Sequence, residues 1–374
     1  MVEEQFIFTG KDLIKLALMV VVAAFFFGVP GVLMVLFFHW ITRSSFAADT
    51  IEKHGISDIK ASRLGGVAIF ISSFGLLGLV KFIGVIPSEN QGSSNYLFFW
   101  VASLLCGLIG LIEDLQNGRL SASFRLKIKL IVCGLVVAIW PVLIPSDLGI
   151  PILDIMLSLP LLGWTMTVFF CVGFINAINM ADGANGLVSG ILTISFSIFF
   201  VETGNLLYAA LMTSCSLFTM FNVISGRLFL GDTGTYGLGA ALAVSGLFLH
   251  SQGVFSAAFL AVLFAYPCID LLVSLFRRFW QGRSIFLPDN DHLHNRINFH
   301  CQKWFKSKVF ANSITGVGVS LMFSGPALIG YLAQWSSATS DEWIWIFVVQ
   351  CMVYLSIFWL SGVSRPASQY ATSI

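Results

Sequence analysis

Charge is the scarcest commodity in this chain. Of its 374 residues only 10% are charged, against 57% hydrophobic, and the mean hydropathy is +0.88. Soluble domains carry about 25% charged residues, so this chain cannot cover a water-facing globule with polar groups. That excludes the soluble classes and leaves an integral membrane protein. Paired cysteines are missing too. The seven cysteines (Cys106, Cys133, Cys171, Cys215, Cys268, Cys301 and Cys351) stand singly without a CxxC, which excludes a disulfide framework and a cysteine zinc site. The leading segment Met1-Val2-Glu3-Glu4 lacks the basic start of a signal peptide, and the apolar run Leu13 to Phe38 is too long for its core. That run reads as a retained membrane helix. Internal repeats and low-complexity tracts are also absent, and short connections argue for a single membrane domain over residues 1–374.

What is abundant fits that class. The 36 phenylalanines and 34 glycines suit lipid-facing surfaces and close helix packing. Apolar segments of spanning length recur near 13–38, 64–86, 96–112, 127–144, 155–175, 187–201, 206–223, 236–251, 254–276, 309–334 and 343–362. The expected fold is an all-α polytopic membrane protein, ten to eleven helices in one bundle. The net charge of +1 says little about partners, and none is expected among nucleic acids; the distribution of charge says more. With the amino terminus placed outside, alternate loops hold Arg43, Lys53, Lys60 and Arg63, then Arg119, Arg125, Lys127 and Lys129, then Arg227. The loop 277–308 adds Arg277, Arg278, Arg283, Arg296, Lys303, Lys306 and Lys308, and Arg365 follows the last span. The opposite loops carry Glu89, Asp147, Glu202, Asp341 and Glu342. Basic residues mark the cytoplasmic side, so the polar clusters are expected to face the cytoplasm at an inner membrane.

Those clusters carry the chemistry. Glu113 and Asp114 close the third span; Asn176, Asn179, Asp182 and Asn185 lie between the fifth and sixth; Asp232 lies between the seventh and eighth, preceded by Asn222, Arg227 and Phe229. The loop 277–308 brings His292, His294 and Arg296. Acids and amides at the mouth of a membrane helix are costly unless they bind something. Magnesium commonly takes one or two carboxylates plus substrate phosphates, and Asp114, Asp182 and Asp232 stand at three helix ends that could converge on such an ion. Gly183, Gly186, Gly231 and Gly234 would let backbone amides approach phosphate oxygens. Arg63, Arg125 and Arg227 would offset the remaining negative charge. Each piece alone has a plainer reading: Asp-Gly and Asn-Gly are ordinary turn signals, basic runs set topology, and a histidine pair in a loop is usually solvated. Their recurrence on one face favours metal-assisted phosphate chemistry. His292, His294, His300 and Cys301 do not have the spacing of a zinc motif. Asp270, inside the ninth span, is expected to pair with a base or a cation in the bundle interior.

In this order the motifs resemble those of the polyprenyl-phosphate N-acetylhexosamine-1-phosphate transferases. Arg63-Leu64-Gly65-Gly66 is similar to that family's Arg-Leu-Gly-Gly segment, and Glu113-Asp114 stands where its acidic pair stands. Asn176 through Leu187 resembles Asn-x-x-Asn-x-x-Asp-Gly-x-x-Gly-Leu, and Asn222 through Gly234 resembles Asn-x-x-x-x-basic-x-Phe-x-Gly-Asp-x-Gly. Pro288 through Arg296 resembles the Pro-Asp-x-x-His-x-His loop. The resemblance implies transfer of a sugar 1-phosphate from a UDP-sugar to a polyprenyl phosphate such as undecaprenyl phosphate, with release of UMP, dependent on Mg²⁺ or Mn²⁺. It implies a metal at Asp232, uracil contacts at Phe229 and Asn222, and a sugar-pyrophosphate contact in the His loop. Glu113 and Asn185 depart from the family's usual aspartates, which leaves the sugar open, a UDP-muramoyl-pentapeptide donor included. A homodimer is also left open. A secondary transporter, the reading from another class, would place its acids near mid-membrane within interrupted repeats; here they sit at helix ends.

Overall fold

The computed structural model describes residues 10–43, 48–49, 61–84, 96–116, 120–283 and 289–362. Lys53, Lys60, Glu89, Arg119, Pro288 and Arg365, all read above, lie outside them. Apolar runs become helices because a helix satisfies its own backbone in lipid. In chain order they are α1 (Gly10–Ile41), α2 (Gly65–Ile83), α3 (Leu97–Gln116), α4 (Ala122–Ile139), α5 (Pro151–Ser158), α6 (Pro160–Ala181) and α7 (Leu187–Thr203). There follow α8 (Leu206–Ser225), α9 (Gly231–Ser251), α10 (Ala257–Leu263), α11 (Ala265–Trp280), α12 (Leu293–Trp304), α13 (Lys308–Leu332) and α14 (Trp343–Leu360). Among the described residues seven helices are long and apolar enough to cross a membrane, and α10 with α11, bent by 81°, makes an eighth crossing if counted as one span. The protein is an all-α polytopic membrane protein. Its strand content among those residues is the antiparallel pair β1 (Ala48–Asp49) and β2 (Ala61–Ser62).

Three of the eleven expected spans are helices that fall short of that criterion for different reasons. α4 carries Arg125, Lys127 and Lys129, α7 has only 17 residues, and α9 is rich in Gly, Ser and Thr and lies almost wholly buried. The central position of α9 explains its composition, because neighbouring backbones press against it. A Cβ on Gly66 would strike the backbone of Gly234, and one on Gly110 would strike the carbonyl of Asp232. These close crossings draw α2, α3 and α9 together at one end of the bundle.

Two expectations need correction. The run 13–38 is not one straight span: Gly28 adopts φ 61° and ψ −150°, and Pro30 follows. A straight helix would separate Asp12 from His39 by about 40 Å, yet both lie within electrostatic reach of Arg227, and Asp12 Oδ2 accepts from Arg227 Nη2 at 3.0 Å. α1 therefore doubles back at Gly28, which supplies the positive φ that L side chains avoid. Its start lies at the same end of the bundle as Arg227, not at the opposite end. Only the chain before Gly28 changes end, so the relative sidedness of the later loops is unchanged. The second correction concerns 277–308, read above as a loop. It contains α12, a polar helix that packs against α13 and α14.

Candidate active site

The site is built at the end where α3 and α6 finish and α9 begins. The Arg63 and Asp232 motifs meet as paired extended backbone: Ser62 N donates to Arg227 O at 2.9 Å, Phe229 N to Ser62 O at 2.8 Å and Gly66 N to Leu230 O at 2.7 Å. Gly231 then turns with φ 72°, and a Cβ there would meet the carbonyl of Arg63 and the carboxylate of Asp114. The turn releases the chain into α9, whose first amides lack helical partners.

Asp114 supplies those partners. Its Oδ1 accepts Asp232 N at 2.9 Å, and its Oδ2 accepts Thr233 N at 2.8 Å and Thr233 Oγ1 at 2.7 Å. An acid at a helix N-terminus is favoured by the helix dipole. With both oxygens engaged, little of Asp114 is left for a cation. Glu113 is engaged as well, accepting Leu120 N at 3.1 Å through Oε2 and lying 3.2 Å from Arg125 Nη1 through Oε1. Among the described residues no three His, Cys, Asp or Glu side chains form a ready-made metal cluster.

Asp232 and Asp182 are in a different condition. Asp232 Oδ2 lies 3.6 Å from Arg125 Nη1, a loose contact, with Arg63 and Lys129 within electrostatic reach. The Asp182 carboxylate follows the end of α6 and makes no hydrogen bond or ion pair among the described residues. Burial, then the nearby charges of Asp232 and Asp114, push it up to about 7. Two carboxylates within electrostatic reach of each other, neither taking a side-chain hydrogen bond from the described residues, form a donor set for a hard divalent cation, which takes one or two carboxylates and completes its shell with phosphate oxygens.

The amides have structural partners. Asn179 Oδ1 accepts Thr235 Oγ1 at 2.8 Å, and Asn176 Oδ1 accepts Lys129 Nζ. Asn222 Oδ1 accepts Gly186 N at 2.7 Å, while its Nδ2 donates to Leu228 O at 2.8 Å and to Asn185 Oδ1 at 3.3 Å. Asn185 further donates its backbone N to Asn312 Oδ1 at 2.7 Å and its Nδ2 to Ser313 Oγ at 3.4 Å. Asn185 and Asn222 thus join α6, α8 and α13 in one buried amide network, which places Asn222 in the scaffold rather than in direct reach of a base. Arg227 faces α1 through Asp12, and Phe229 is half-buried with its backbone held by Ser62 and Gly65.

The His segment closes the site from α11, α12 and α14. Asp270 does pair with a base: its Oδ2 lies 2.7 Å from His292 Nδ1, and its Oδ1 accepts Tyr354 Oη at 2.6 Å. Asp289 receives Arg277 and Arg278, and Asp291 receives Arg277 at 2.6 Å and Arg296 at 2.7 Å. Arg296 also donates to Phe358 O at 2.6 Å and lies over the Phe358 ring at 3.6 Å. Backbone and arginine donors outweigh burial and hold Asp289 down to about 2. His300 lies 3.0 Å from Ser361 O, away from any zinc arrangement.

One group escaped the sequence reading. Lys129 is buried, bonded to Asn176 and 4.1 Å from the Tyr236 ring centroid, beside Arg125, which donates to Tyr236 Oη at 3.2 Å. The signal was the i, i+4 spacing of Arg125 and Lys129, which puts both on one face of α4, while Lys127 is exposed.

The sequence model of glycosyl transferase family 4 matches residues 96–250, the stretch that holds Glu113-Asp114, Asp182 and Asp232. The chain is 27% identical over 261 residues to a probable undecaprenyl-phosphate N-acetylglucosaminyl 1-phosphate transferase of Bacillus subtilis, covering 67% of this chain and 69% of that protein. The chain belongs to the polyprenyl-phosphate N-acetylhexosamine-1-phosphate transferase superfamily. Within it the chain is also 31% identical to the decaprenyl-phosphate N-acetylglucosaminephosphotransferase of Mycobacterium leprae, over 63% of this chain and 66% of that one. It is 25% identical to a phospho-N-acetylmuramoyl-pentapeptide-transferase of Desulforamulus reducens, over 76% and 83%.

Proposed function

We propose that this member of the superfamily transfers an N-acetylamino-sugar 1-phosphate from a UDP-sugar to undecaprenyl phosphate, releasing UMP and starting a cell-envelope polysaccharide. The observation that carries the reading is the pair Asp182 and Asp232. Neither carboxylate takes a hydrogen bond from the described residues, the two lie within electrostatic reach of each other, and Arg125 and Lys129 stand beside Asp232. A charge left open in this way at a membrane surface calls for a ligand. The mouth is taken to face the cytoplasm at the inner membrane, since Arg43, Arg63, Arg125, Arg227 and Arg277 gather at that end.

In the reaction an oxygen of the acceptor phosphate attacks the sugar-bearing phosphorus of the donor. The bond from that phosphorus to the bridging oxygen breaks, and UMP leaves with the electron pair. A phosphate monoester has a second pKa of about 6, so the nucleophile is already ionised at neutral pH and needs no dedicated base. The obstacle is bringing two anions together. Arg125, steadied by Tyr236 and Glu113, and Lys129, steadied by Asn176, supply fixed positive charge without reorganisation. Asp232 and Asp182 would hold Mg²⁺ or Mn²⁺, which would neutralise phosphate charge and polarise the phosphorus under attack. Asp114 keeps the α9 start, and therefore Asp232, in place. An apolar cavity of about 300 Å³ between α6, α9 and α10–α11, lined by Phe170, Phe174, Leu247, Leu260 and Phe264, offers room for part of a polyprenyl tail.

The test is UMP release by detergent-purified protein given undecaprenyl phosphate, Mg²⁺ and a panel of UDP-N-acetylamino sugars, with lipid-free and metal-free controls. Lipid- and metal-dependent release from one donor would support the reading and name the sugar. Release only from UDP-N-acetylmuramoyl-pentapeptide would favour the donor class named by the Desulforamulus relative. Silence from folded protein across both donor types would overturn the proposal.

A further inference from the structure

We propose that the end of α12 and the start of α13 form a binding surface for anionic phospholipid headgroups, centred on Trp304 and seated in the leaflet on the side of the Arg277 loop. The surface lies outside the reaction site and does not depend on which reaction that site performs.

Its level is set by α14, which is long and apolar enough to cross the membrane. Arg296 and His300, one helical turn apart on α12, both hold the last residues of α14. Arg296 Nη1 donates to Phe358 O at 2.6 Å, and His300 Nε2 lies 3.0 Å from Ser361 O. α12 therefore sits at the level where α14 ends. The next residue in that row is Trp304, four positions after His300. It meets little protein and is 82% exposed. Tryptophan collects at the boundary of hydrocarbon and headgroups, where its ring is in apolar surroundings and its N–H is wet.

The chain around Trp304 is held by its own contacts. Phe305 N donates to Cys301 O at 3.0 Å and closes α12, while Ser307 Oγ accepts Phe310 N at 3.3 Å and opens α13. The Phe305 and Phe310 rings meet edge to face at 5.1 Å. This corner presents Lys303-Trp304-Phe305-Lys306 with both lysines exposed. Lys303 Nζ lies 4.5 Å from the centroid of the Phe299 ring. A ring face holds an ammonium weakly and leaves it hydrogens for an oxygen acceptor.

Charge selects the partner. From His292 to Ser340 the chain has no acidic residue, and none follows Glu342. Asp289 and Asp291, which precede α12, are taken up by Arg277, Arg278 and Arg296. No carboxylate of α12, α13 or α14 therefore competes for Lys303 and Lys306. A zwitterionic headgroup would suit the indole equally well, but only a headgroup of net negative charge gains from the lysines. Each basic residue near an anionic leaflet is worth about fivefold in partitioning. A bare topology signal, the plainer reading of these lysines, needs neither the aromatic pair between them nor the acid-free surround.

The experiment uses Trp304 as its own reporter. Full-length protein is placed in phosphatidylcholine nanodiscs, and the fluorescence of wild type minus that of Trp304→Phe isolates this indole from the other tryptophans. Phosphatidylglycerol and phosphatidylcholine with brominated acyl chains, which quench on contact, are then compared at the same mole fraction. Both lipids should quench the Trp304 signal, phosphatidylglycerol at least about twofold more. High salt should erase the difference, as should the double variant Lys303→Gln/Lys306→Gln, while soluble glycerol phosphate should leave it intact. Equal quenching in wild type would reduce Trp304 to an ordinary interface residue and overturn the headgroup site. Silence with both lipids would put Trp304 in water or beneath a second copy of the chain and overturn the lipid surface itself. A preference unchanged in the double variant would place the selecting charge elsewhere, and one abolished by glycerol phosphate would mean a site for free phosphate esters; either overturns the proposal. The readout needs neither donor nor acceptor, so a protein that releases no UMP would leave it standing.

Discussion

The two charged ends of this site are wired in opposite ways. In the His segment, Asp289, Asp291 and Asp270 each meet cationic or hydroxyl partners, and Arg277, Arg278 and Arg296 are gripped in return. At the α9 mouth, Asp182 has no such partner among the described residues and Asp232 has only a loose contact at 3.6 Å. Buried charge with its partners in place holds architecture together, because breaking such a pair strands the other member. Charge without partners costs stability unless a ligand arrives. The first region therefore reads as a frame and the second as the place the frame presents. Asp114 falls on the frame side of that division despite standing one helix away from Asp232.

The sharpest way to break the comparison is to exchange the two kinds of acid. Asp232→Asn removes a carboxylate that supports little of the fold, so turnover should fall on the order of 10²–10³-fold or more while the melting temperature stays within a degree or two. Near-normal UMP release by that variant at saturating Mg²⁺ would remove Asp232 from the metal role. Asp114→Asn should do something different. It turns one acceptor oxygen into a donor facing the α9 amides, so activity should fall together with a stability loss of about 2–4 kcal/mol. Thermal melts of both variants, run beside the assay, decide the matter; an Asp114→Asn melt unchanged from wild type would return that residue to the ligand set.

A smaller effect tests the mouth without substrate. Asp182, raised to about 7 by burial and by Asp232 and Asp114, binds its proton more tightly folded than unfolded. Between the unfolded value near 4 and about 7 the folded state thus holds more protons, and stability falls as pH rises across that window. Metal-free protein should melt lower at pH 7.5 than at pH 5 by this contribution, Asp182→Asn should flatten the slope, and Mg²⁺ should restore stability at the upper end. A slope unchanged in Asp182→Asn would place the responsible group elsewhere.

How far the sequence could be read follows from the same physics. Hydropathy sees apolar length, so the helices appear where the apolar runs predict them. It does not see direction, and the reversal at Gly28 is hidden inside one continuous run. It does not see polar helices, so α12 looked like loop. The motifs located the mouth because acids at helix ends are rare in so apolar a chain. Composition could not separate Asp114 from Asp232, since both are acids at helix ends. Only their partners, three donors against one loose arginine, make one a cap and the other open. Lys129 was hidden in a run of basic residues whose topological role was a sufficient reading until the i, i+4 face was resolved.

The smallest expected effect comes from the frame and lies far from working pH. The Asp291 amide and Arg277, together with His292 and Ser274, hold Asp289 to about 2 against the opposing push of burial. Its folded value lies below its unfolded one, so its stabilisation is complete above about pH 4 and is lost as pH falls toward 2. Hydrogen exchange of residues 289–304 should therefore be insensitive to Asp289 between pH 5 and 8, where the mouth responds through Asp182. Below pH 4 the wild-type segment should loosen, and Asp289→Asn should already be loosened at pH 7 and gain little further below 4. Loss of protection near pH 6 that Asp289→Asn abolishes would mean the carboxylate is not held by its arginines, and the contrast between frame and mouth would fail at the residue that best represents the frame.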